Sequence, residues 1–74
     1  MTELTDRQRE VLLFIIDYQN KNGFSPSIRD ICKGVYLSQP TVVRHIDNLV
    51  KKGFISYTPR VARSIVVREE SRVS

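Results

Sequence analysis

The sequence predicts a mainly α-helical domain of three helices followed by one small, two-stranded β-hairpin. Three stretches of apolar residues recur at the period of an amphipathic helix, and each follows a Ser or Thr that can act as an N-cap. After Gly53 the helical period stops, and two short runs rich in β-branched and aromatic residues flank a loop. A chain of 74 residues fits one domain. We assign that domain to residues 1–68 and expect residues 69–74 to form a polar, flexible tail.

The first helix is expected at about residues 6–21. Thr5 and Gln8 have the spacing of a capping box, in which each side chain accepts a hydrogen bond from the backbone N–H of the other residue. The residues that follow are apolar at helical spacing, and Leu13 widens their face. Gly23 suits the left-handed conformation that commonly ends a helix. We therefore expect this helix to be covered on more than one side.

A short second helix is expected at about residues 28–34. Ser27 is its predicted N-cap, and Asp30 lies at the third helical position, where its carboxylate can bond the N-cap backbone. Tyr36 lies in the turn that follows. A left-handed backbone would cost a residue with a side chain about 1 kcal/mol or more. We therefore expect the turn to be reshaped around Gly34.

The third helix is expected at about residues 39–52. Ser38 is its predicted N-cap, and Pro40 lies in the first turn, where the N–H group that proline lacks would have no partner within the helix. Apolar residues at i, i+4, i+7 and i+8 predict one buried seam. The seam consists of Val42, Ile46, Leu49 and Val50.

The remaining residues predict a β-hairpin with a basic tip. Residues 54–57 and 64–68 read as short strands, and residues 58–63 form the loop between them. Arg60 and Arg63 lie in that loop. A two-stranded hairpin is only marginally stable alone, so it must pack against the helices.

Positive charge is concentrated in the second half of the chain. Residues 1–37 carry five Lys and Arg side chains and five acids, whereas residues 38–68 carry six Lys and Arg side chains and one acid, a net charge of +5. Such a surface suits a polyanionic partner. If about five DNA phosphates are neutralised, the logarithm of the affinity should fall against the logarithm of salt concentration with a slope of about −4.5. The alternative is a basic surface that only maintains solubility.

The order of elements predicts a helix-turn-helix followed by a hairpin, and the second helix of such a pair enters the major groove of DNA. With the seam of the third helix inward, steps of about 100° per residue direct the polar residues of its first two turns outward. Arg can bond guanine, Gln can bond adenine, and Ser or Thr can bond either. The candidate base-reading residues are Ser38, Gln39, Thr41 and Arg44.

Five further side chains are candidates for contact with the DNA backbone or the minor groove. They start the second helix, end the third helix or lie at the hairpin tip, and they are Ser27, Arg29, Lys51, Arg60 and Arg63. Plainer alternatives stay open for several candidates. Ser27 can serve only as a cap, and Lys51 can serve only the helix dipole. Arg44 can contact a phosphate or pair with Asp47 instead of reading a base.

Four stretches resemble the winged helix-turn-helix DNA-binding domain of LexA-type SOS repressors. They are LTDRQREVLLFI, GFSPSIRDI, LSQPTVVRHIDNLVKKGFI and the hairpin residues PR and RSIVV, and together they extend over residues 3–68. The resemblance implies a repressor that reads the major groove with the third helix and touches phosphate or the minor groove with the wing. Residues 37–45 are one residue shorter than is typical of that family. The base-reading residues are therefore matched by their position in the helix only.

The resemblance also implies the partners. We expect binding to double-stranded DNA, either as a homodimer on a palindromic site or as part of a longer dimeric repressor. We expect the protein in the cytoplasm, associated with the nucleoid. The chain carries no counterpart of the self-cleaving peptidase domain of these repressors, so we expect that domain to be lacking and carry no catalytic behaviour over.

The sequence predicts no catalytic, metal or cofactor site. One cysteine and one histidine cannot assemble a metal site, and no paired-carboxylate cleft, glycine-rich phosphate loop or Ser-His-Asp arrangement is present. We therefore expect a protein that is not an enzyme and uses no cofactor. No apolar run approaches the roughly 18 residues of a membrane span, so we expect no membrane partner.

A second class of function is compatible with the same fold. A winged helix can bind another protein through its exposed face and modulate a regulator without touching operator DNA. RNA binding is less compatible, because a recognition helix fits the major groove of B-form DNA and not the deep, narrow groove of an A-form duplex. Binding to duplex DNA that weakens with salt would distinguish DNA recognition from a protein-interaction module.

Overall fold

The computed structural model of the protein describes residues 4–68, and the tail expected at residues 69–74 lies outside this part of the chain. Three helices precede a two-stranded antiparallel sheet, as predicted. The elements are α1 (Asp6–Asn22), α2 (Ile28–Val35), α3 (Gln39–Lys51), β1 (Ile55–Ser56) and β2 (Val66–Val67). Ile55 pairs with Val67, and Ser56 pairs with Val66. Each strand has two residues and is therefore shorter than predicted.

The predicted helix boundaries agree with the structure to within one residue, because local capping signals set them. Thr5 Oγ1 accepts a hydrogen bond of 3.2 Å from the Gln8 backbone, and Gln8 Oε1 accepts one of 3.1 Å from the Thr5 backbone. Ser27 and Asp30 form the same box at the start of α2, with both bonds at 3.1 Å. Gly23 ends α1 with a φ of 81°. All three predicted signals at the ends of α1 and α2 are confirmed.

The turn between α2 and α3 differs from the prediction. Tyr36 itself adopts the left-handed conformation, with φ 58° and ψ 45°, and its backbone N–H donates to the Cys32 carbonyl oxygen. Gly34 stays helical within α2. A Cβ atom at Gly34 would overlap the ring of Phe14, so the glycine is needed for helix packing and not for the turn. The predicted reshaping of the turn around Gly34 is therefore wrong.

One hydrophobic core joins all the elements. α3 packs against α1, α2 and β1, and three of its four predicted seam residues, Val42, Ile46 and Leu49, are completely buried. The buried apolar residues are Val11, Leu12, Ile15, Ile31, Val35, Val42, Ile46, Leu49, Ile55, Ile65 and Val67. Two predicted core residues are exposed, Leu13 on α1 and Val50 on α3. Val50 lies about 100° around the helix from Leu49, so it faces the space between α3 and the hairpin and not the core.

None of the helices within residues 4–68 combines the length and the apolar character needed to cross a membrane.

Candidate nucleic-acid interface

The first two turns of α3 present polar side chains to solvent. Ser38, Gln39 and Arg44 are exposed, and Thr41 is half-buried. The seam holds the opposite side of the helix, because Val42 and Ile46 are each 0% exposed. The structure therefore brings the four predicted base-reading side chains to one accessible end of one anchored helix.

Ser38 occupies the N-cap position, but its side chain does not bond the helix backbone. The predicted capping bond is wrong, because the hydroxyl is engaged elsewhere. Ser38 Oγ instead lies 2.9 Å from Thr41 Oγ1. The Ser38 side chain thus leaves the first-turn N–H groups of α3 without the acceptor that a cap supplies, and such groups bind anions.

Asp47 pairs with Lys51 and not with Arg44. Lys51 Nζ lies 3.2 Å from Asp47 Oδ2, and both side chains are largely exposed. No ion pair involves Arg44 within the part of the chain that the structure describes. The structure therefore does not have the alternative ion pair between Arg44 and Asp47.

A basic groove lies between the starts of α2 and α3 and the hairpin loop. Its volume is about 350 Å³. Ser27 and Arg29 line it from α2, Gln39 lines it from α3, and Arg60 lines it from the hairpin. One surface therefore unites candidates that are up to 36 residues apart in sequence (27 to 63). The spacing of the sequence did not predict this proximity.

Arg63 lines the same groove, but its guanidinium bonds other residues of the protein. Its Nη1 atom donates a bond of 2.9 Å to the carbonyl oxygen of Ser25 and lies 3.2 Å from Asp30 Oδ2. The same atom lies 3.4 Å from Tyr18 Oη, and the guanidinium carbon lies 4.7 Å from the centroid of the Phe24 ring. In return, the Ser25 hydroxyl donates a 2.7 Å bond to the Arg63 carbonyl oxygen. In the structure Arg63 attaches the hairpin to the α1–α2 connection, and its predicted contact with DNA stays a prediction.

The charges of this attachment reinforce each other. The backbone N–H of Ser27 holds the pKa of the Asp30 carboxyl below its ordinary value, partial burial opposes that shift, and the hydroxyls of Ser27 and Tyr18 and the charge of Arg63 add to it. The Tyr18 hydroxyl and, to a smaller extent, Asp30 raise the pKa of Arg63. Both groups therefore stay charged where they meet.

A second groove, of about 490 Å³, separates α3 from the hairpin. Val43, Arg44 and Val50 line it from α3, and Tyr57 and Pro59 line it from the hairpin side. Neither Val43 nor the hairpin wall is among the residues predicted from the sequence. The helical period places Val43 outside the buried seam, so its exposure could have been predicted from the sequence. The approach of the hairpin could not, since it depends on tertiary packing.

No group of three or more potential metal ligands occurs among the described residues.

Comparison with known proteins gives a consistent result. A family model described as the LexA DNA binding domain matches residues 1–64. A LexA repressor of Thermosipho africanus is 47% identical over 75 residues, which cover 100% of this chain and 38% of that protein. A LexA repressor of Petrotoga mobilis is 46% identical over 72 residues, which cover 96% of this chain and 35% of that protein. A LexA repressor of Carboxydothermus hydrogenoformans is 41% identical over 63 residues, which cover 84% and 31%. The matched part of the chain thus spans about a third of the length of these relatives, 31% to 38%.

Proposed function

We propose that this chain, which belongs to the LexA DNA-binding domain family, binds double-stranded DNA sequence-specifically and represses transcription. The observation that carries the proposal is the accessible polar end of α3. Side chains of the types that bond base edges project from a helix whose other side is completely buried. Residues 1–68 would be the DNA-binding unit, residues 69–74 a flexible tail, and the unit would act as a regulator without catalysis or cofactor.

In this proposal α3 enters the major groove and reads bases with Ser38, Gln39, Thr41 and Arg44. A helix of this kind contacts base edges with its N-terminal residues, and these four lie there. The buried seam supports the assignment, because it fixes the direction in which the side chains project. The 2.9 Å contact between Ser38 and Thr41 orients both hydroxyls before DNA arrives.

The basic groove would follow the sugar–phosphate backbone. Ser27 and Arg29 at the start of α2, and Arg60 in the hairpin loop, are the proposed phosphate or minor-groove contacts. Lys51 is a further candidate, because an exposed pair with Asp47 contributes little stability and can be exchanged for a phosphate. Arg63 is left out of this set, since its Nη1 atom is engaged by the Ser25 carbonyl oxygen and by Asp30.

The proposed assembly is a pair of these domains on a palindromic site. One small module with a few base contacts binds weakly, and two-fold symmetric half-sites add the contacts of two modules. The relative from Thermosipho africanus is about 2.6 times as long as this chain, which follows from the 38% coverage. The second subunit is therefore held either by this domain or by a longer repressor of which it is a part. Such a repressor would act on chromosomal DNA in the cytoplasm.

The test is in vitro selection of bound duplexes followed by sequencing of the pool. We expect enrichment of a palindrome and an affinity that falls steeply with salt. Arg44→Ala should flatten the preference among sequences, whereas Arg60→Ala should weaken all duplexes alike. Arg9→Ala is the matched control, because Arg9 is exposed on α1 and lines neither groove.

Two outcomes would contradict the proposal. No binding, or binding that does not weaken with salt, would favour the protein-interaction module instead. A uniform loss of affinity in both arginine variants would show that Arg44 does not read a base, and the proposed orientation of α3 would then be wrong.

A further inference from the structure

Val43 is an apolar residue on the polar end of α3. Its side chain is 40% exposed, whereas the neighbouring Val42 is completely buried. It directly precedes Arg44, the strongest candidate for base contact. An exposed valine within the reading end of the helix is not explained by the hydrogen-bonding chemistry assigned to its neighbours.

The fold does not account for Val43. A β-branched residue loses side-chain freedom in a helix, so it is a poorer helix former than alanine. Its exposure also limits the apolar area that it buries against the protein. Stability alone therefore does not require a valine at this position.

Val43 and Arg44 lie side by side on the outward surface of α3. Each residue is offset by about 100° from the next along a helix, and the buried seam occupies the far side. Val43 therefore lies at the hairpin-facing edge of the outward surface. Val43 and Arg44 line the same open groove of about 490 Å³, together with Pro40 and Asp47. A base pair reached by Arg44 would have its neighbour within reach of Val43.

The major groove offers one apolar group on its base edges, which is the C5-methyl of thymine, and apolar side chains contact it. We propose that Val43 reads a thymine methyl in the base pair next to the one that Arg44 contacts. This inference rests on the proposed function, since it requires α3 to lie in the major groove. It makes Val43 a specificity-determining residue that works by contact area and not by hydrogen bonding.

The test replaces each thymine of the selected duplex, one at a time, with deoxyuridine, which removes only the methyl group. The wild-type protein should lose affinity about fourfold at one such position. That factor corresponds to the roughly 0.8 kcal/mol of burying one CH₂-sized group. Val43→Ala should bind the thymine duplex more weakly than wild type by a similar factor and should be indifferent to the replacement at that position.

Val50→Ala is the matched control. Val50 has the same side chain, lies on the same helix, is 36% exposed and lines the same groove, but it lies two turns beyond the reading end. This variant should keep the full penalty for the missing methyl. Neither valine belongs to the buried core, so both variants should fold, and a melting curve checks that each does.

The possible results separate the inference from its premise. If wild type prefers the selected duplex but no position shows a penalty that depends on Val43, the inference is wrong and the proposed function stands. If Val43→Ala and Val50→Ala both become indifferent, the groove as a whole and not Val43 senses the methyl, which also overturns the inference. If wild type shows no preference over random duplex, the proposed function itself fails.

Discussion

Replacing Tyr36 with glycine should stabilise the protein. Tyr36 is the left-handed residue between α2 and α3, with φ 58° and ψ 45°. Its side chain is 91% exposed, so it contributes little packing in return for the backbone conformation. The hydrogen bond that the turn needs comes from its backbone N–H to the Cys32 carbonyl oxygen, and a glycine keeps that donor.

The magnitude follows from two opposing effects. A left-handed conformation costs a residue with a Cβ atom about 1–2 kcal/mol, and glycine avoids that cost. Glycine also makes the unfolded chain more flexible, which removes about 0.4–1 kcal/mol of stability. Taking about 1.5 and about 0.7 kcal/mol as central values leaves a net gain of about 0.8 kcal/mol. For a domain of this size the melting temperature should rise by about 3–6 °C.

The assay is thermal unfolding followed by circular dichroism, with urea unfolding as a second measurement. Tyr36→Ala is the matched control, because it removes the aromatic ring but keeps the left-handed cost. Its stability should lie within about 0.5 kcal/mol of wild type, as for ordinary surface substitutions. A glycine variant that is no more stable than wild type would refute the reasoning. An alanine variant as stable as the glycine variant would also refute it, because the ring and not the backbone would then be the cause.

Three further predictions concern the hairpin attachment and the core. Arg63→Ala should lower the melting temperature but leave the salt dependence of DNA binding unchanged. Arg60→Ala should reduce the slope of the logarithm of affinity against the logarithm of salt concentration by about one and leave the melting temperature unchanged. The opposite pattern would show that Arg63 contacts phosphate. The pKa of Asp30 is lower in the folded state than its ordinary 3.8, so its contribution to stability is complete above that value and lost as the pH falls through the lower folded value. Urea unfolding between about pH 5 and 2 should show this loss in wild type and not in Asp30→Asn, and equal curves would contradict it. Ile46→Ala should lower the free energy of unfolding by about 2–5 kcal/mol in urea titrations, because Ile46 is 0% exposed and leaves a cavity; a loss below about 1 kcal/mol would mean that the core collapses around the site.

The helices were predictable because their signals are local. A capping box involves two residues three positions apart, and both boxes form as the sequence indicates. The buried seam of α3 was predictable for the same reason, apart from Val50. That residue continues the apolar period, but the core of a domain this small does not extend far enough around the helix to cover it.

The turn was mispredicted because two nearby positions each favour a glycine, one for its backbone conformation and one for helix packing. A preference for glycine in a left-handed turn favours one at position 36, and the sequence has Tyr36 there. The glycine lies at position 34 instead, where the ring of Phe14 occupies the space of a side chain. That ring comes from another helix, 20 residues earlier in the sequence. A contact of this kind has no signature in the local pattern, and it fixes the glycine where packing needs it.

Part of the candidate site was predictable from local sequence, and part depends on tertiary packing. The outward face of α3 follows from helical geometry, so three of the predicted base-reading residues are exposed and Thr41 is half-buried. The roles of the two hairpin arginines do not follow from it. Arg60 and Arg63 both adopt positive φ values, of 70° and 55°, and both lie in the same loop. Only Arg63 meets Asp30 and the Ser25 carbonyl oxygen, and Ser25 is 38 residues away in sequence.

This distinction changes the expected strength of the electrostatic contribution to DNA binding. Residues 38–68 contain six cationic side chains and one acid. Their net charge predicts about five phosphate contacts and a slope of about −4.5 for the logarithm of affinity against the logarithm of salt concentration. The exposed pair of Lys51 with Asp47 can open at little cost, so Lys51 stays in that count. Arg63 would have to leave several partners at once and would release the hairpin, so it does not. Removing one contact gives a slope of about −3.6. A measured slope of about −4.5 in wild type that falls by about one in Arg63→Ala would show that DNA draws Arg63 away from Asp30, and the hairpin attachment would then be a contact that opens on binding.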